Sequence, residues 1–265
     1  MTTVAEVGAF MEAFAPKSLA ADWDNVGLLL GDAERPADRI MTCLSLTRDV
    51  VEEAVAERAD LVIVHHPLPF RPLKAVTTGS FDGGRIWRLA SAGISVYSPH
   101  TGFDSAARGI NQRLAEMLKL TNIAPLSPIA TAGDPQVGVG RQGEPAQAVS
   151  LDAFAKQAQA VLKAADAAVV GPADRQVCRV AICCGSGGDL LRQAVAVGAD
   201  CFLTGEANFH TALEAEAAGI GLVLVGHYAS ERFALELLAV DLQQAFPRVK
   251  VWAARREADP LRRVS

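Results

Sequence analysis

The sequence predicts an α/β fold built from two copies of one unit, and three observations support this prediction. Short apolar runs typical of buried strands alternate with segments of helical periodicity. Residues 189–204 repeat the pattern of residues 49–64 without a gap. Histidines and carboxylates follow directly after several of the predicted strands. Since ligand sites in α/β folds gather beyond the carboxyl ends of strands, these polar residues indicate the site.

The first half of the chain alternates helices and strands. Thr3 and Glu6 have the spacing of a capping box, which predicts a helix that ends before Pro16. The expected elements after it are, in order, a polar turn at 22–26, a strand between Gly27 and Gly31, a strand at 40–46, a helix from Asp49 to Asp60, a strand at 61–64, a helix at 84–92, a strand at 94–97 and a helix after Asp104. The long loop at 67–84, with Arg71 and Lys74, is expected to cover the site or contact substrate.

The second half begins irregularly and then repeats the first. Residues 121–150 are rich in Pro, Gly, Thr and Ser, which predicts a connector followed by a hairpin around 138–149. A helix at 151–164 and strands at 167–170 and 177–183 follow. Gly185-Ser-Gly-Gly188 then precedes a helix; it lacks the Lys-Ser/Thr of a P-loop, so turn glycines are favoured over a phosphate cradle.

The repeat predicts how the chain is divided. Gly205-Glu206 falls where His65-His66 stands in the first copy, and each copy then has a Gly-Ile, a strand and a His-x-x-x-acid sequence. We therefore divide the chain into repeats at 1–125 and 126–265. We call each His-x-x-x-acid sequence, which follows directly after a strand, a corner. A pseudo-twofold pairing of the copies would bring both corners to one cleft.

The corners predict a site for two metal ions. His100 precedes Asp104 by four residues, His227 precedes Glu231 by four, and a strand ends in His65-His66. Adjacent histidines are often incidental, and a carboxylate in a first turn can simply favour the helix start. The duplicated pattern favours metal over these readings. Imidazole and carboxylate suit zinc, iron or manganese, with this ligand set: His65, His66, Asp104, His227 and Glu231.

Such a site predicts hydrolytic chemistry on an anion. Two divalent ions and two carboxylates leave an excess of about +2, which lowers the pKa of bound water and attracts negative charge. Ions about 3.5–4 Å apart need a bridging ligand, for which Glu231 or Asp104 is the candidate. Asp24 and Asn25 either orient a ligand or form a turn. His210 is a candidate proton carrier or a structural histidine.

The composition of the chain argues against several other classes of protein. The chain of 265 residues has a formal charge of −5 and no dense Lys/Arg stripe, which argues against nucleic acid as a main partner. The five cysteines form no CxxC pair, so we expect buried reduced thiols and a cytoplasmic location. We find neither a signal peptide nor an apolar run of the ~18 residues that span a bilayer.

Five motifs resemble those of the NIF-three-like family, whose bacterial members are usually labelled GTP cyclohydrolase I type 2 homologues. They are Asp24-Asn-Val-Gly27, His65-His-Pro-Leu68, His100-Thr-x-x-Asp104, Leu203-Thr-Gly-Glu206 and Gly226-His-Tyr-x-x-Glu231. The resemblance covers nearly the whole chain. It implies two intertwined α/β repeats with mixed sheets and a toroidal hexamer built as a trimer of dimers.

The resemblance also implies site residues. The family's dinuclear site would fall on the five ligands named above, with His100 and Glu206 close by. We take Glu206, His210 and His100 as the candidate catalytic residues. Gly102-Phe103 stands where Asn-Leu is common, a change that should spare the ligands. The middle region is too short for the domain inserted in longer relatives.

The activity implied by the resemblance is hydrolysis at C8 of GTP by metal-activated hydroxide. The imidazole ring would open, formate would leave, and the product would rearrange to dihydroneopterin triphosphate. The same site chemistry permits phosphoester hydrolysis. A third reading is a non-catalytic metal-binding assembly that interacts with proteins. We find no motif in the sequence that selects a purine.

Overall fold

The described residues, 1–130 and 133–262 of a computed structural model, form a mixed α/β fold, as the sequence predicts. Residues 131–132 and 263–265, which belong to the predicted repeat 126–265, lie outside the described ranges. Within the described ranges the α-helices are α1 (Val4–Phe14), α2 (Arg48–Ala56), α3 (Phe81–Ser91), α4 (His100–Ser105), α5 (Ile110–Met117), α6 (Leu151–Leu162), α7 (Leu191–Ala196), α8 (Phe209–Ala218) and α9 (His227–Ala245). The strands there are β1 (Gly27–Leu30), β2 (Arg39–Cys43), β3 (Leu61–Val64), β4 (Ser95–Ser98), β5 (Thr121–Pro128), β6 (Gly138–Glu144), β7 (Val149–Ser150), β8 (Ala168–Val170), β9 (Gln176–Val177), β10 (Val180–Cys183), β11 (Cys201–Thr204), β12 (Gly221–Leu224) and β13 (Lys250–Ala253).

The chain forms two compact units. The first unit contains Met1–Phe103 and Ala234–Ala258, and the second contains Asp104–Phe233 with the described residues from Asp259 onward. The division falls inside α4 and again inside α9. Among the described helices, none is long and apolar enough to cross a membrane.

The first unit is organised by a five-stranded sheet in the order β1-β4-β3-β2-β13. Strands β13, β2, β3 and β4 are parallel, and β1 pairs antiparallel with β4. All four residues of β3 are buried, which is what a near-continuous apolar run predicts for a strand inside a parallel sheet. Helices α2 and α3 connect the parallel strands and bury Val50, Val51, Ala54, Ile86 and Leu89 in the same core.

The second unit contains a six-stranded sheet in the order β5-β6-β10-β11-β12-β8. Its middle strands β10, β11 and β12 are parallel, whereas β5, β6 and β8 pair antiparallel with their neighbours. A short antiparallel pair, β7 with β9, forms a separate sheet. Helix α6 packs its apolar face, which includes Phe154 and Leu162, into a core with β10 and β11.

The duplication predicted from the sequence is confirmed by topology and by matched hydrogen bonds. The strand orders β1-β4-β3-β2 and β8-β12-β11-β10 correspond in position and direction. Asp60 accepts hydrogen bonds from the backbone N–H groups of Asp38 and Arg39, at 3.0 and 2.9 Å. Asp200, its counterpart in the repeat, accepts them from Cys178 and Arg179, both at 2.8 Å.

The predicted hairpin at 138–149 is wrong. Residues 138–144 form β6, which pairs with β5, while Val149–Ser150 pairs with β9. Because β5 contains prolines, the sequence predicted a connector where the structure has a strand. They are compatible with a strand because β5 is at the edge of its sheet, where a residue without an N–H is tolerated. Position 125 lies within β5, and the assignment of this segment to either repeat stays a prediction.

Other predicted elements differ mainly at their ends. Helix α3 begins at Phe81, three residues before the predicted start, because the Ser80 hydroxyl accepts from the N–H of Gly83 at 3.2 Å and caps it. Strand β2 ends at Cys43, and Thr47 caps α2. The capping box of Thr3 and Glu6 is confirmed, with bonds of 3.2 and 2.9 Å.

Candidate metal centre

Three histidines of the first unit lie together at one edge of its sheet. His65 and His66 directly follow β3, and His100 is the first residue of α4, just after β4. One ring nitrogen of each lies within 4.8 Å of the other two. We call these residues the histidine set. They meet because β3 and β4 are adjacent parallel strands, whose carboxyl ends share one edge. Three imidazoles are a ligand set of catalytic zinc sites.

Hydrogen bonds to neighbouring strands and loops hold the first two histidines. The backbone carbonyl of His65 accepts from the hydroxyl of Ser98 at 2.7 Å. Nδ1 of His66 lies 2.7 Å from the Ser45 hydroxyl. Because Ser45 engages Nδ1, Nε2 is the nitrogen that would ligate a metal, and its orientation is set by this contact.

Asp24 orients His100. The sequence left two interpretations of Asp24 open, an orienting residue or a turn residue, and this contact agrees with the first. Oδ1 of Asp24 lies 2.7 Å from Nδ1 of His100, and its Oδ2 accepts from the N–H and hydroxyl of Thr101. Burial by itself raises the pKa of Asp24, but the hydrogen bonds from His100 and Thr101 outweigh it and lower the pKa to about 2. Asn25 instead donates to the backbone carbonyl of Pro69 at 2.7 Å, so it joins two loops.

Glu257, which the sequence reasoning missed, supports the loop that carries Ser45. Its two carboxylate oxygens accept from the N–H groups of Leu44 and Ser45, at 3.0 and 2.6 Å. The residue lies more than 200 positions along the chain from this loop, so no local pattern indicates the contact. It fixes the backbone of the serine that engages His66.

Two carboxylates and a histidine lie together in the second unit, and we call Asp104, His227 and Glu231 the acid set. A carboxylate oxygen of Asp104 lies within 4.8 Å of one of Glu231. Nε2 of His227 lies 3.0 Å from Oε2 of Glu231, one turn further along α9. The separation of the two carboxylates is therefore far below the ~10 Å that would prevent them from sharing ions ~3.5–4 Å apart. Their assignment as ligands stays a prediction.

His227 lies between two carboxylates. Its Nδ1 is 2.9 Å from Oε1 of Glu206, a half-exposed side chain at the position that corresponds to His66 in the repeat. The hydrogen bond to Glu231 raises the pKa of His227 to about 9, with Glu206 adding to it and burial opposing it. Because this pKa lies above its ordinary value of 6.5, the proton stabilises the metal-free fold below about pH 6.5, and this contribution is lost as the pH rises through about 9.

The raised pKa of His227 predicts proton release on metal binding. A ligating imidazole must be neutral, so zinc binding at about pH 7.5 should displace roughly one proton from His227. Calorimetric titration of Zn²⁺ in buffers of different ionisation enthalpy measures this number. We expect His227→Gln to release about one proton fewer, whereas His210→Gln should match the wild type. Equal release by all three proteins would contradict the assignment.

Cys184 and Asn111 contact Asp104, and the sequence analysis assigned neither of them to the site. The Cys184 thiol donates to Oδ1 of Asp104 at 3.2 Å. The Asn111 side chain donates to the backbone carbonyl of Asp104 and accepts from the N–H of Cys184, at 3.1 and 2.8 Å. Burial, together with the neighbouring carboxylates, raises the pKa of the Cys184 thiol, which keeps it protonated as a donor. The cysteine's position just after β10 was the available signal.

Gly185 lies against the acid set, and its lack of a side chain is required there. A Cβ at this position would lie 2.1 Å from Oε1 of Glu231 and 3.4 Å from Nε2 of His227, and the backbone φ is +62°. Its N–H donates to the Ser230 hydroxyl at 2.9 Å, and the N–H of Gly187 donates to the hydroxyl of Thr204 at 3.0 Å. These amides are engaged within the fold, in agreement with the interpretation as turn glycines.

Two candidate catalytic residues, His100 and His210, and the five cysteines remain to be placed. His100 was predicted beside the ligands and lies in the histidine set itself. His210 is exposed on the first turn of α8, with its ring 6.2 Å from that of Phe209. Among the described residues it belongs to neither set, and its catalytic role stays a prediction. Of the five cysteines, Cys43, Cys184 and Cys201 are buried and Cys178 is exposed, and all are free thiols.

Comparison with known proteins gives matches over nearly the whole chain. The family model described as Duf34/NIF3 (NGG1p interacting factor 3) matches residues 2–260. A Clostridium acetobutylicum protein named GTP cyclohydrolase 1 type 2 homolog is 31% identical over 241 residues, 91% of this chain and 90% of the relative. NIF3-like protein 1 of Drosophila melanogaster is 32% identical over 254 residues, 95% of this chain and 86% of the relative.

A solved structure has the same fold. Staphylococcus aureus protein SA1388 superimposes with a TM-score of 0.91 at 26% identity, and the alignment covers 99% of each chain. The high TM-score over both units means that the mixed sheets and the duplicated topology are shared by this relative.

Proposed function

The chain belongs to the Duf34/NIF3 (NGG1p interacting factor 3) family, and from this premise we propose that it is a metal-dependent hydrolase acting on a nucleotide-like anion. The observation that carries the proposal is the closeness of ligand atoms within each set: the ring nitrogens of the three histidines lie within 4.8 Å of one another, and Glu231 has a carboxylate oxygen within 4.8 Å of one of Asp104 and its Oε2 3.0 Å from Nε2 of His227. Nitrogen and carboxylate donors of this kind fit zinc, iron or manganese.

A pair of divalent ions is the proposed metal content of the chain. The proposed ligands are His65, His66, Asp104, His227 and Glu231. A carboxylate can contact two ions through its two oxygens, so Glu231 or Asp104 is the proposed bridge.

The residues around the ligands have distinct proposed roles. Bound divalent ions would lower the pKa of a water molecule and so supply a nucleophile near neutral pH. Asp24 would hold the ring of His100, and Ser45 would hold that of His66. Glu206 is half-exposed and lies against Nδ1 of His227, so it can exchange a proton between that ring and solvent. His100 and His210 are the other candidates for proton transfer.

The proposed substrate is GTP, on the ground that a Clostridium relative is named GTP cyclohydrolase 1 type 2 homolog. Hydrolysis at C8 would consume two water molecules, one to open the imidazole ring and one to cleave the resulting formamide and release formate. Rearrangement and ring closure of the remainder would release one water molecule and yield dihydroneopterin triphosphate. An excess positive charge at the metals would attract the triphosphate.

The test is an incubation of zinc-, iron- or manganese-loaded protein with GTP, assayed in parallel for formate and inorganic phosphate. Asp104→Ala serves as the control, because it should lose the site. We expect formate from the wild type and only background from the variant. Phosphate without formate would replace the proposal by a phosphoesterase. Neither product would leave a non-catalytic metal-binding assembly as the function.

Assembly and compartment are part of the same proposal. We propose a homohexamer in the cytoplasm, on the ground of family membership and of reduced, mostly buried thiols. Sedimentation analysis of the purified chain tests the hexamer directly.

A further inference from the structure

Two large aromatic side chains are exposed beside the histidine set. Trp23 is 65% exposed and Phe70 is 47% exposed. Their ring centroids are 5.9 Å apart, and each lies 6.1 Å from the ring of His100. Exposing apolar surface to water costs about 25 cal/mol for each Å². An exposed aromatic pair next to metal-binding side chains is therefore a ligand-contact candidate.

The pair is held in place by the loops that carry it. Trp23 adjoins Asp24, which holds His100 and Thr101. Phe70 adjoins Pro69, whose carbonyl accepts from the side chain of Asn25 at 2.7 Å. The two loops are thus cross-linked next to both rings. A ligand would find the rings already positioned, which lowers the entropy that binding must overcome.

The geometry of the pair suits a flat ring. Trp23 and Phe70 meet edge to face, with 63° between their planes, so they do not stack on each other. Because both rings are exposed and are not stacked face to face on each other, they offer aromatic surface to a planar partner, and every heteroaromatic base has a π face that can stack. His100, at 73° to Trp23 and 87° to Phe70, meets both rings in the same edge-to-face manner.

Positive charge follows the pair along the chain. Arg71 comes directly after Phe70, and Lys74 follows three residues later; both are exposed. A phosphorylated ligand whose ring lies on the aromatic pair would have these cations within the same loop. The combination of flat apolar surface and positive charge matches an anionic heteroaromatic compound better than a sugar phosphate or an inorganic anion.

We propose that Trp23 and Phe70 form a stacking subsite that receives the planar heteroaromatic ring of a phosphorylated substrate beside His100. This inference rests on the proposed function, because it assigns the residues that would contact the ring of the substrate at the same site. The subsite would select substrates by the presence of a ring, whereas the metals and cations would bind the negative charge.

The experiment compares two probes on zinc-loaded protein by calorimetric titration. Guanosine 5′-monophosphate carries a ring and a phosphate, and ribose 5-phosphate carries the phosphate alone. We expect Trp23→Ala to weaken binding of the nucleotide about tenfold or more, as alanine substitution does at base-stacking positions. Phe70→Ala should act in the same direction. Affinity for ribose 5-phosphate should stay within about twofold of the wild type.

Trp87→Ala is the matched control, since Trp87 is 55% exposed on α3 of the same unit. It should bind both probes like the wild type. The inference is overturned if the wild type does not bind the nucleotide, if Trp23→Ala binds it unchanged, or if that variant loses both probes equally. A changed sedimentation coefficient with unchanged nucleotide affinity would assign the rings to a contact between copies of the chain, which also overturns it.

The outcomes separate this inference from the proposed function. Nucleotide binding that depends on Trp23, without formate or phosphate from GTP, would sustain the subsite and reject the hydrolase. Formate release by Trp23→Ala with the KM and kcat of the wild type would reject the subsite and sustain the hydrolase.

Discussion

Replacing Glu231 with alanine is expected to remove metal and activity together. The side chain is buried, with 3% of the residue exposed, and its carboxylate lies 3.0 Å from Nε2 of His227. It also lies within 4.8 Å of Asp104, and it is one of the two carboxylates that we propose as the bridge between two ions. Loss of a supporting residue typically weakens metal binding about 10- to 100-fold, and loss of a bridging ligand should exceed the upper figure. Metal per chain, measured by elemental analysis after dialysis, checks this result.

Two further variants make the result specific to the carboxylate. Glu231→Gln keeps the shape of the side chain and removes its charge, so it should also lose metal. Glu236 is exposed on the same helix, so Glu236→Ala should bind metal like the wild type. Full metal occupancy in Glu231→Ala would show that Glu231 is not a main ligand.

Gly185→Ala is expected to disturb the same carboxylate from the backbone side. Its Cβ would lie 2.1 Å from Oε1 of Glu231, closer than non-bonded atoms approach, so the carboxylate would have to move. The φ of +62° adds a backbone penalty of about 1–2 kcal/mol for a residue with a side chain. We expect a fold that is less stable by at least that penalty and metal affinity lowered by about tenfold or more.

Gly198→Ala separates the two effects of this substitution. Gly198 has φ +69°, and apart from its chain neighbours none of the described residues has a heavy atom within 4 Å of the position of a Cβ. The variant therefore carries the same backbone penalty without any clash. Urea unfolding should show a similar backbone contribution in both variants, while metal analysis should show a loss only for Gly185→Ala. If both variants keep their metal, the carboxylate of Glu231 does not need its present position for binding.

The helices and strands that carry the candidate ligands could be predicted from the amino-acid sequence. Buried strands such as β3 read directly as apolar runs, and the repeat of residues 49–64 predicted the second set of parallel strands. The equivalence of Asp60 and Asp200 follows from that alignment and is confirmed by their matching backbone hydrogen bonds. These features are local, because side-chain periodicity and residue spacing are set by the geometry of a single helix or strand.

The hydrogen-bond partners of the candidate ligands could not be predicted from the sequence, because they depend on tertiary packing. Asp24 reaches His100 across 76 residues, and Cys184 reaches Asp104 across 80. The close approach of Gly185 to Glu231 and the pairing of β5 with β6 are likewise invisible in any local pattern. The physical reason is that an isolated polar side chain or glycine is compatible with many surroundings. Its partner is selected by the packing of whole strands and helices, which buries apolar area and then requires each buried polar group to be hydrogen-bonded.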